Sequence, residues 1–306
     1  MDYVLQTFGL SKKYKKHLAV NDATMTINRG DIYGFVGENG SGKTTIIRLI
    51  TGLIFPDQGS FELFGAPHNS SNIKRVRNKV GAVVESPSIY KNMSAYDNLK
   101  MQCMILGLPK DQRINQVLHD VGLEHMLHDK KRAGNFSLGM RQRLGIAMCL
   151  LGEPEFIILD EPMNGLDPAG IVEIRELILK LNRERNITFL ISSHILSELS
   201  LIATKYGFIS NGHIIKEITA SQLQEQLKKT TDITVDNPKA LEELLATVLP
   251  QAKLSPIPNG VRIAGDVDIN LVSSAIINAD IRITNINSHE ASLEDYYLEI
   301  IGGKHV

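Results

Sequence analysis

An α/β chain built around a nucleotide-binding loop is what this sequence predicts, and three observations predict it. Gly37-Glu38-Asn39-Gly40-Ser41-Gly42-Lys43-Thr44 satisfies G-x-x-x-x-G-K-[ST] at every fixed position. The motif follows an apolar run, Ile32 to Val36, that reads as a buried strand, and it leads into Thr45-Ile46-Ile47-Arg48-Leu49-Ile50, which has no helix breaker before Gly52. Farther on, the apolar stretch Phe156-Ile157-Ile158-Leu159 delivers two adjacent acids, Asp160 and Glu161. Strand, glycine turn and helix, with acids at the end of a second buried strand, form the layout that phosphate and Mg²⁺ binding need.

The chemistry of the loop follows from its residue types. Glycines let the backbone N–H groups of residues 37–42, among them Glu38, Asn39 and Ser41, point inward around β- and γ-phosphates. Lys43 adds a positive charge on the same oxygens, Thr44 offers a hydroxyl to Mg²⁺, and Thr45 opens the helix beside them. Glycine-rich strand-to-helix turns also occur without ligands, but Lys-Thr at this spacing between a strand and a helix points to a nucleoside triphosphate.

Composition narrows the class. A chain of 306 residues favours two domains over one. A net charge of −1 without a basic tail, no tryptophan, and few tyrosines and phenylalanines weigh against nucleic acid as a partner. Cys103 and Cys149 fall in segments that read as helices, so two reduced core thiols and a cytosolic setting are expected. Met1-Asp2-Tyr3-Val4 lacks the layout of a secretory signal, and no apolar run approaches the ~20 residues of a membrane span.

Taken in order, Val4 to Phe8, Asn21 to Ile27 and Ile32 to Val36 read as short strands, with Ser11-Lys12-Lys13-Tyr14 as an exposed basic loop. Tyr14 there can stack on a purine or cover the sheet. Pro56-Asp57-Gln58-Gly59 turns into a strand from Ser60 to Leu63, and Val80 to Val84 is a buried strand that ends at Glu85. From Ser94, an N-cap with Asp97 in the first turn, to about Gly134 the pattern is helical, Pro109 separating Asn98–Leu108 from Gln112–Val121. Asn135-Phe136-Ser137-Leu138-Gly139-Met140 opens a helix to Leu151, whose N-terminus suits an anion. Ile187 to Ser192 is another buried strand. It ends in Ser193-His194 at the sheet edge shared with the loop and the acids, which points His194 toward a γ-phosphate.

These residues together resemble the ATP-binding subunit of ABC transporters, in the correct order over residues 1 to about 217. The resemblance implies a RecA-like core, an antiparallel β subdomain and a helical subdomain at about 87–152. It places Tyr14 at the adenine-stacking loop, Gly37 to Thr44 at Walker A, and Ser137 with Gly139 at the signature loop. Asp160 falls at the Walker B Mg²⁺ ligand, Glu161 at the catalytic glutamate, Gly165-Leu166-Asp167 at the D-loop and His194 at the switch histidine. The segments Glu161 to Pro168 and Ser292-Leu293-Glu294-Asp295-Tyr296-Tyr297-Leu298 are most similar to exporters of the bacitracin-resistance and lantibiotic self-protection group.

Two positions depart from the family. The signature, usually Leu-Ser-Gly-Gly-Gln, reads Phe136-Ser137-Leu138-Gly139-Met140, keeping the serine and one glycine. Glu85 stands where the family usually has glutamine, as it does in the exporter group, and is expected to contact Mg²⁺ directly or through water. Residues 218–306 carry no nucleotide motif. Ser221–Lys229 reads as a helix, Ile233 to Val235 as a strand, and Ala240, Leu241, Leu244, Leu245 and Val248 as a helix face. Gly260–Ala264, Ile269–Ala279, Ile281–Ile286 and Ser292–Ile301 complete a small α/β extension, ferredoxin-like if Ala252–Ile257 supplies one strand.

The resemblance thus implies an ATPase that uses ATP and Mg²⁺, pairs with a second ATP-binding subunit, and drives export of a hydrophobic or peptide-type substrate. The export would run through a separate membrane-spanning permease, from the cytoplasmic face of the membrane. The alternative is a soluble ATPase of the same type acting on nucleic acid or ribosomes.

Overall fold

The computed structural model describes residues 2–108, 111–227, 229–265, 267–290 and 293–302. They form two compact units, Met1–Ala220 and Ser221–Val306.

In the first unit, β1 (Tyr3–Tyr14), β2 (His17–Ala23) and β3 (Thr26–Asn28) precede the buried strand β4 (Ile32–Val36) and the helix α1 (Lys43–Thr51). Next come β5 (Gln58–Leu63), β6 (Ala66–Pro67), α2 (Ile73–Arg77) and β7 (Val80–Val83). The helical block holds α3 (Ala95–Leu106), α4 (Asp111–Asp120), two single 3₁₀ turns at Glu124–Met126 and Ala133–Asn135, and α5 (Leu138–Leu150). The unit closes with β8 (Phe156–Asp160), α6 (Pro168–Arg185), β9 (Thr188–Ser193), α7 (Leu196–Ser200), β10 (Lys205–Ser210) and β11 (His213–Thr219), after which comes α8 (Ala220–Gln226).

Two sheets organise these elements. β1, β2, β3, β5 and β6 pair antiparallel in the order β2-β1-β5-β6, with β3 on β1. The other sheet runs β11-β10-β4-β9-β8-β7, parallel except for the β10–β11 hairpin. Its central strands β4, β8 and β9 are buried along their whole length, which is why they read as unbroken apolar runs rather than alternating ones. Leu5, Phe61 and Leu63 of the first sheet, Ile46, Ile47 and Ile50 of α1, and Phe35, Phe156 and Leu190 of the second belong to one core cluster. One face of α1 is thereby locked to both sheets. Each of its fully buried apolar side chains contributes about 1.5–3 kcal/mol of transfer free energy.

Several local expectations change. Ser11 to Tyr14 is no loop. It is the end of β1, which pairs with β2 through Lys12↔Val20, Lys13↔Leu18 and Tyr14↔His17. Lys15 and Lys16 form the turn, Lys15 at φ 53°. An alternation broken by register shifts at Lys12 hid this strand. Asn21 to Ile27 divides into β2 and β3. β7 lies at the sheet edge with Ala82 exposed, so it is only half-buried. Within the span Ser94 to about Gly134, regular helix stops at Asp120, and α6 was not expected from the sequence. Ser94 is an N-cap, its hydroxyl accepting from the Asp97 N–H. Pro109 and Ser292 lie outside the described residues.

In the second unit β12 (Lys229–Val235), α9 (Pro238–Val248), β13 (Lys253–Ile257), β14 (Gly260–Ala264), α10 (Ile269–Asn278) and β15 (Ile283–Glu290) precede α11 (Leu293–Gly302). Lys229 belongs to β12, so the helix read over Ser221–Lys229 is confined to α8. The antiparallel sheet order β13-β14-β12-β15 is that of a split βαβ, ferredoxin-like unit. Ile233, Val261 and Ile263 on its inner face pack with Leu241 and Leu245 of α9 and with Val272 and Ile276 of α10.

Candidate functional site

β4, the loop and α1 build the candidate phosphate cradle. A Cβ on Gly37 would stand 2.5 Å from the Ile209 carbonyl oxygen and 2.6 Å from Ser41 Oγ, so only glycine fits there. Gly42 takes φ 113°, and a side chain on it would meet the Ala19 carbonyl at 2.6 Å. That residue is the N-cap of α1 and supplies no side-chain bond, so the first N–H groups of the helix face outward uncapped. The Ser41 hydroxyl is buried without a hydrogen-bond partner among the described residues. An uncapped helix start and an orphaned hydroxyl fit an incoming polyanion.

Lys43 is buried at 5% exposure, its ammonium donating to the carbonyls of Gly37 at 2.6 Å and Glu38 at 3.0 Å. Burial lowers its pKa, and the charges of Glu161 and Asp160 oppose that shift. A desolvated ammonium held by two carbonyls and facing two acids is positioned for a ligand more negative than either acid.

β8 ends on Asp160, which is 2% exposed and accepts from the hydroxyls of Thr44 at 3.0 Å and Ser192 at 2.6 Å. Thr44 and Asp160 therefore share one point, where a hard cation can take one oxygen from each. No three His, Cys, Asp or Glu side chains among the described residues gather as a metal cluster.

Glu161 follows at φ 52°, a left-handed conformation costly for a non-glycine residue. Its N–H donates to the Ser192 hydroxyl at 2.9 Å and carbonyl at 3.2 Å, which hold the turn. Its carboxylate meets His194 Nδ1 at 2.6 Å and Lys43 Nζ at 3.6 Å. Glu161, His194 and Lys43 thus form one connected set. Ser192, which ties Asp160 to Glu161, was not singled out as a site residue. Its only signal was its place at the end of a buried strand, just before Ser193-His194.

Tyr14 lines a cleft of about 320 Å³ with His17, Ala19, Asn39, Gly40, Gly42, Lys43, Thr44, Thr45 and Glu161. Its ring is 40% exposed, with Lys12 Nζ 5.9 Å from its centroid. Ser137, Gly139 and Asp167 line a different cleft, of about 440 Å³, formed by the start of α5, the 165–167 loop and the start of α6. Ser137 caps α5 by accepting from the Met140 N–H at 3.2 Å, and Asp167 caps α6 by accepting from the Gly170 N–H at 3.0 Å. Glu85, expected at the metal, forms an ion pair with Arg48 in the last turn of α1, and no described contact joins it to Thr44 or Asp160. Arg48 is the partner of that carboxylate, which the position of Glu85 after β7 did not reveal.

Fold and site define a P-loop nucleotide-binding protein with a RecA-like core. The ABC transporter family matches residues 20–164. The bacitracin transport ATP-binding protein BcrA of Bacillus licheniformis is 39% identical over 310 residues, 99% of each chain. BcrA of Enterococcus faecalis is 37% identical over 99% of this chain and 98% of its own length. The lantibiotic transport ATP-binding protein SrtF of Streptococcus pyogenes is 42% identical over 73% of this chain and 95% of its own. Among solved structures, CbiO1 of Clostridium perfringens, part of the CbiONQ ABC transporter complex, superposes with a TM-score of 0.67 at 26% identity, covering 82% of this chain and 97% of that one. The chain belongs to the ABC transporter family as an ATP-binding subunit, and it is an ATPase. Among the described residues no helix is long and apolar enough to cross a membrane.

Proposed function

We propose that the chain energises export of a hydrophobic or peptide-type compound of the antibiotic class, by hydrolysing Mg²⁺-ATP at the cytoplasmic face of the membrane for a separate permease. The observation that carries this reading is the connected set of Lys43, Thr44, Asp160, Glu161 and His194, in a chain similar along its whole length to bacitracin transport ATP-binding proteins.

In this reading Tyr14 stacks the base, residues 37–45 hold the phosphates, and Thr44 with Asp160 holds Mg²⁺. Bound Mg²⁺ supplies charge neutralisation on the phosphate oxygens. Glu161 orients the attacking water and accepts its proton, while His194, hydrogen-bonded to that carboxylate, fixes its rotamer and faces the γ-phosphate. Ser137 and Gly139 stand in a cleft of their own with Asp167. A second subunit, facing the first head to tail, therefore completes each site by bringing its Ser137 loop onto the ATP held by Lys43. Closure excludes water and strengthens each charge contact. The groove of about 390 Å³ lined by Val84, Ser86, Pro87, Tyr90, Gln102 and Leu106 would receive the permease and pass the closing motion to it.

Gentle solubilisation of host membranes with the chain tagged tests this. A multispanning protein recovered in stoichiometric amount is the expected result. Recovery with ribosomes or nucleic acid in the soluble fraction would overturn the transport reading in favour of the soluble alternative.

A further inference from the structure

His17 is exposed, lies outside the nucleotide motifs, and yet lines the same cleft as the phosphate loop. Its position follows from the β1–β2 hairpin. Tyr14 and His17 are direct cross-strand partners, and paired residues in an antiparallel ladder project to the same face. Two residues farther along β2, about 7 Å at strand spacing, Ala19 lines the cleft too. The Ala19 carbonyl abuts the phosphate loop, only 2.6 Å from where a Cβ on Gly42 would stand. β2 therefore spans the distance from the ring of Tyr14 at the hairpin to the glycines of the loop. A nucleotide with its base on Tyr14 and its β- and γ-phosphates on residues 37–44 must lay its sugar across the interval that His17 and Ala19 line.

We propose that His17 is a nucleotide-binding residue that reads the ribose, hydrogen-bonding a sugar hydroxyl and so favouring ribonucleotides over deoxyribonucleotides. A neutral imidazole carries one N–H donor and one acceptor nitrogen, the complement of a hydroxyl. Ala19, with a single methyl, leaves the sugar room beside it. The hairpin turn Lys15-Lys16 and the pairing of Lys12 with Asp57, at 2.9 Å, hold the strand ends that carry Tyr14 and His17. This proposal rests on the reading of the cleft as an ATP site.

The test is equilibrium binding of ATP, 2′-deoxy-ATP and 3′-deoxy-ATP to the full chain, wild type against His17→Ala and His17→Gln. Steady-state kinetics with ATP accompany it. Wild type is expected to bind at least one deoxy analogue about 2- to 10-fold more weakly than ATP, the range for one neutral hydrogen bond. In His17→Ala that preference disappears and the loss falls on KM more than on kcat, while His17→Gln, which keeps a donor and an acceptor, recovers part of it. An unchanged ATP-to-deoxy-ATP ratio in His17→Ala, or no discrimination in wild type, overturns the proposal. If wild type binds none of the three, the ATP reading of the cleft falls, and this proposal falls with it.

Discussion

α1 and α5 both begin where an anion could sit, and they treat their first N–H groups in opposite ways. Gly42 leaves α1 uncapped, and Lys43, Asp160 and Glu161 stand around the opening within one subunit. α5 is closed by its own Ser137, whose hydroxyl is occupied by the Met140 N–H. Leu138 and Met140, in place of the family's glycine and glutamine, are good helix formers and carry regular helix through the signature positions. The first site is poised for a ligand by itself. In the proposed head-to-tail pair, the second would exchange its internal cap for the phosphate of the partner's bound ATP.

That contrast can be broken in graded steps. Glu161→Gln keeps the shape of the side chain but removes the base. It is expected to lower kcat by about 10²- to 10⁴-fold while ATP binding persists, as read by phosphate release against nucleotide titration. Equal loss of binding and turnover would show that Glu161 holds ATP instead of activating the attacking water. Ser137→Ala should leave binding to the uncapped α1 site intact and reduce turnover, and it should cost about 1 kcal/mol of stability through the lost cap. A turnover unchanged by this substitution would remove the α5 site from the mechanism.

Smaller effects sharpen the boundary of the site. Glu85→Gln should give an ATPase dependence on Mg²⁺ superimposable on wild type, because the carboxylate is occupied by Arg48. A displaced Mg²⁺ midpoint would return Glu85 to the metal. Far from the site, Glu155 is paired with Lys79 and Arg29, each at 2.6 Å, and the side-chain bonds from those two cations hold its pKa below the usual 4.5. A depressed carboxylate stabilises the fold fully above its unfolded value and loses that contribution as pH falls through the lower folded one. Glu155→Gln should therefore narrow the gap in thermal stability between pH 7 and acid, with no change in ATPase kinetics at neutral pH. An unaltered acid limb would show that the pair contributes nothing.

The parts of the site most legible in the sequence are those whose chemistry is local. Gly37, Gly40, Gly42, Lys43 and Thr44 share one turn, and β4 and β8 are buried on both faces, so periodicity needed no tertiary information. The links between distant segments were not legible. Ser192 reaches Asp160 across a β8–β9 pairing of strands 32 residues apart, and Glu85 met Arg48 across 37 residues. His17 enters the cleft because the β1–β2 hairpin pairs it with Tyr14.

The sequence by itself determined the buried strands, the glycine turn and the identity of the charged groups, because backbone sterics and apolar periodicity act over a few residues. Tertiary structure alone decided which hydroxyl fixes Asp160, what Glu85 pairs with, and that Ser137 and Lys43 line separate clefts. Those outcomes depend on strand order and register, which bring together side chains that no sequence spacing relates.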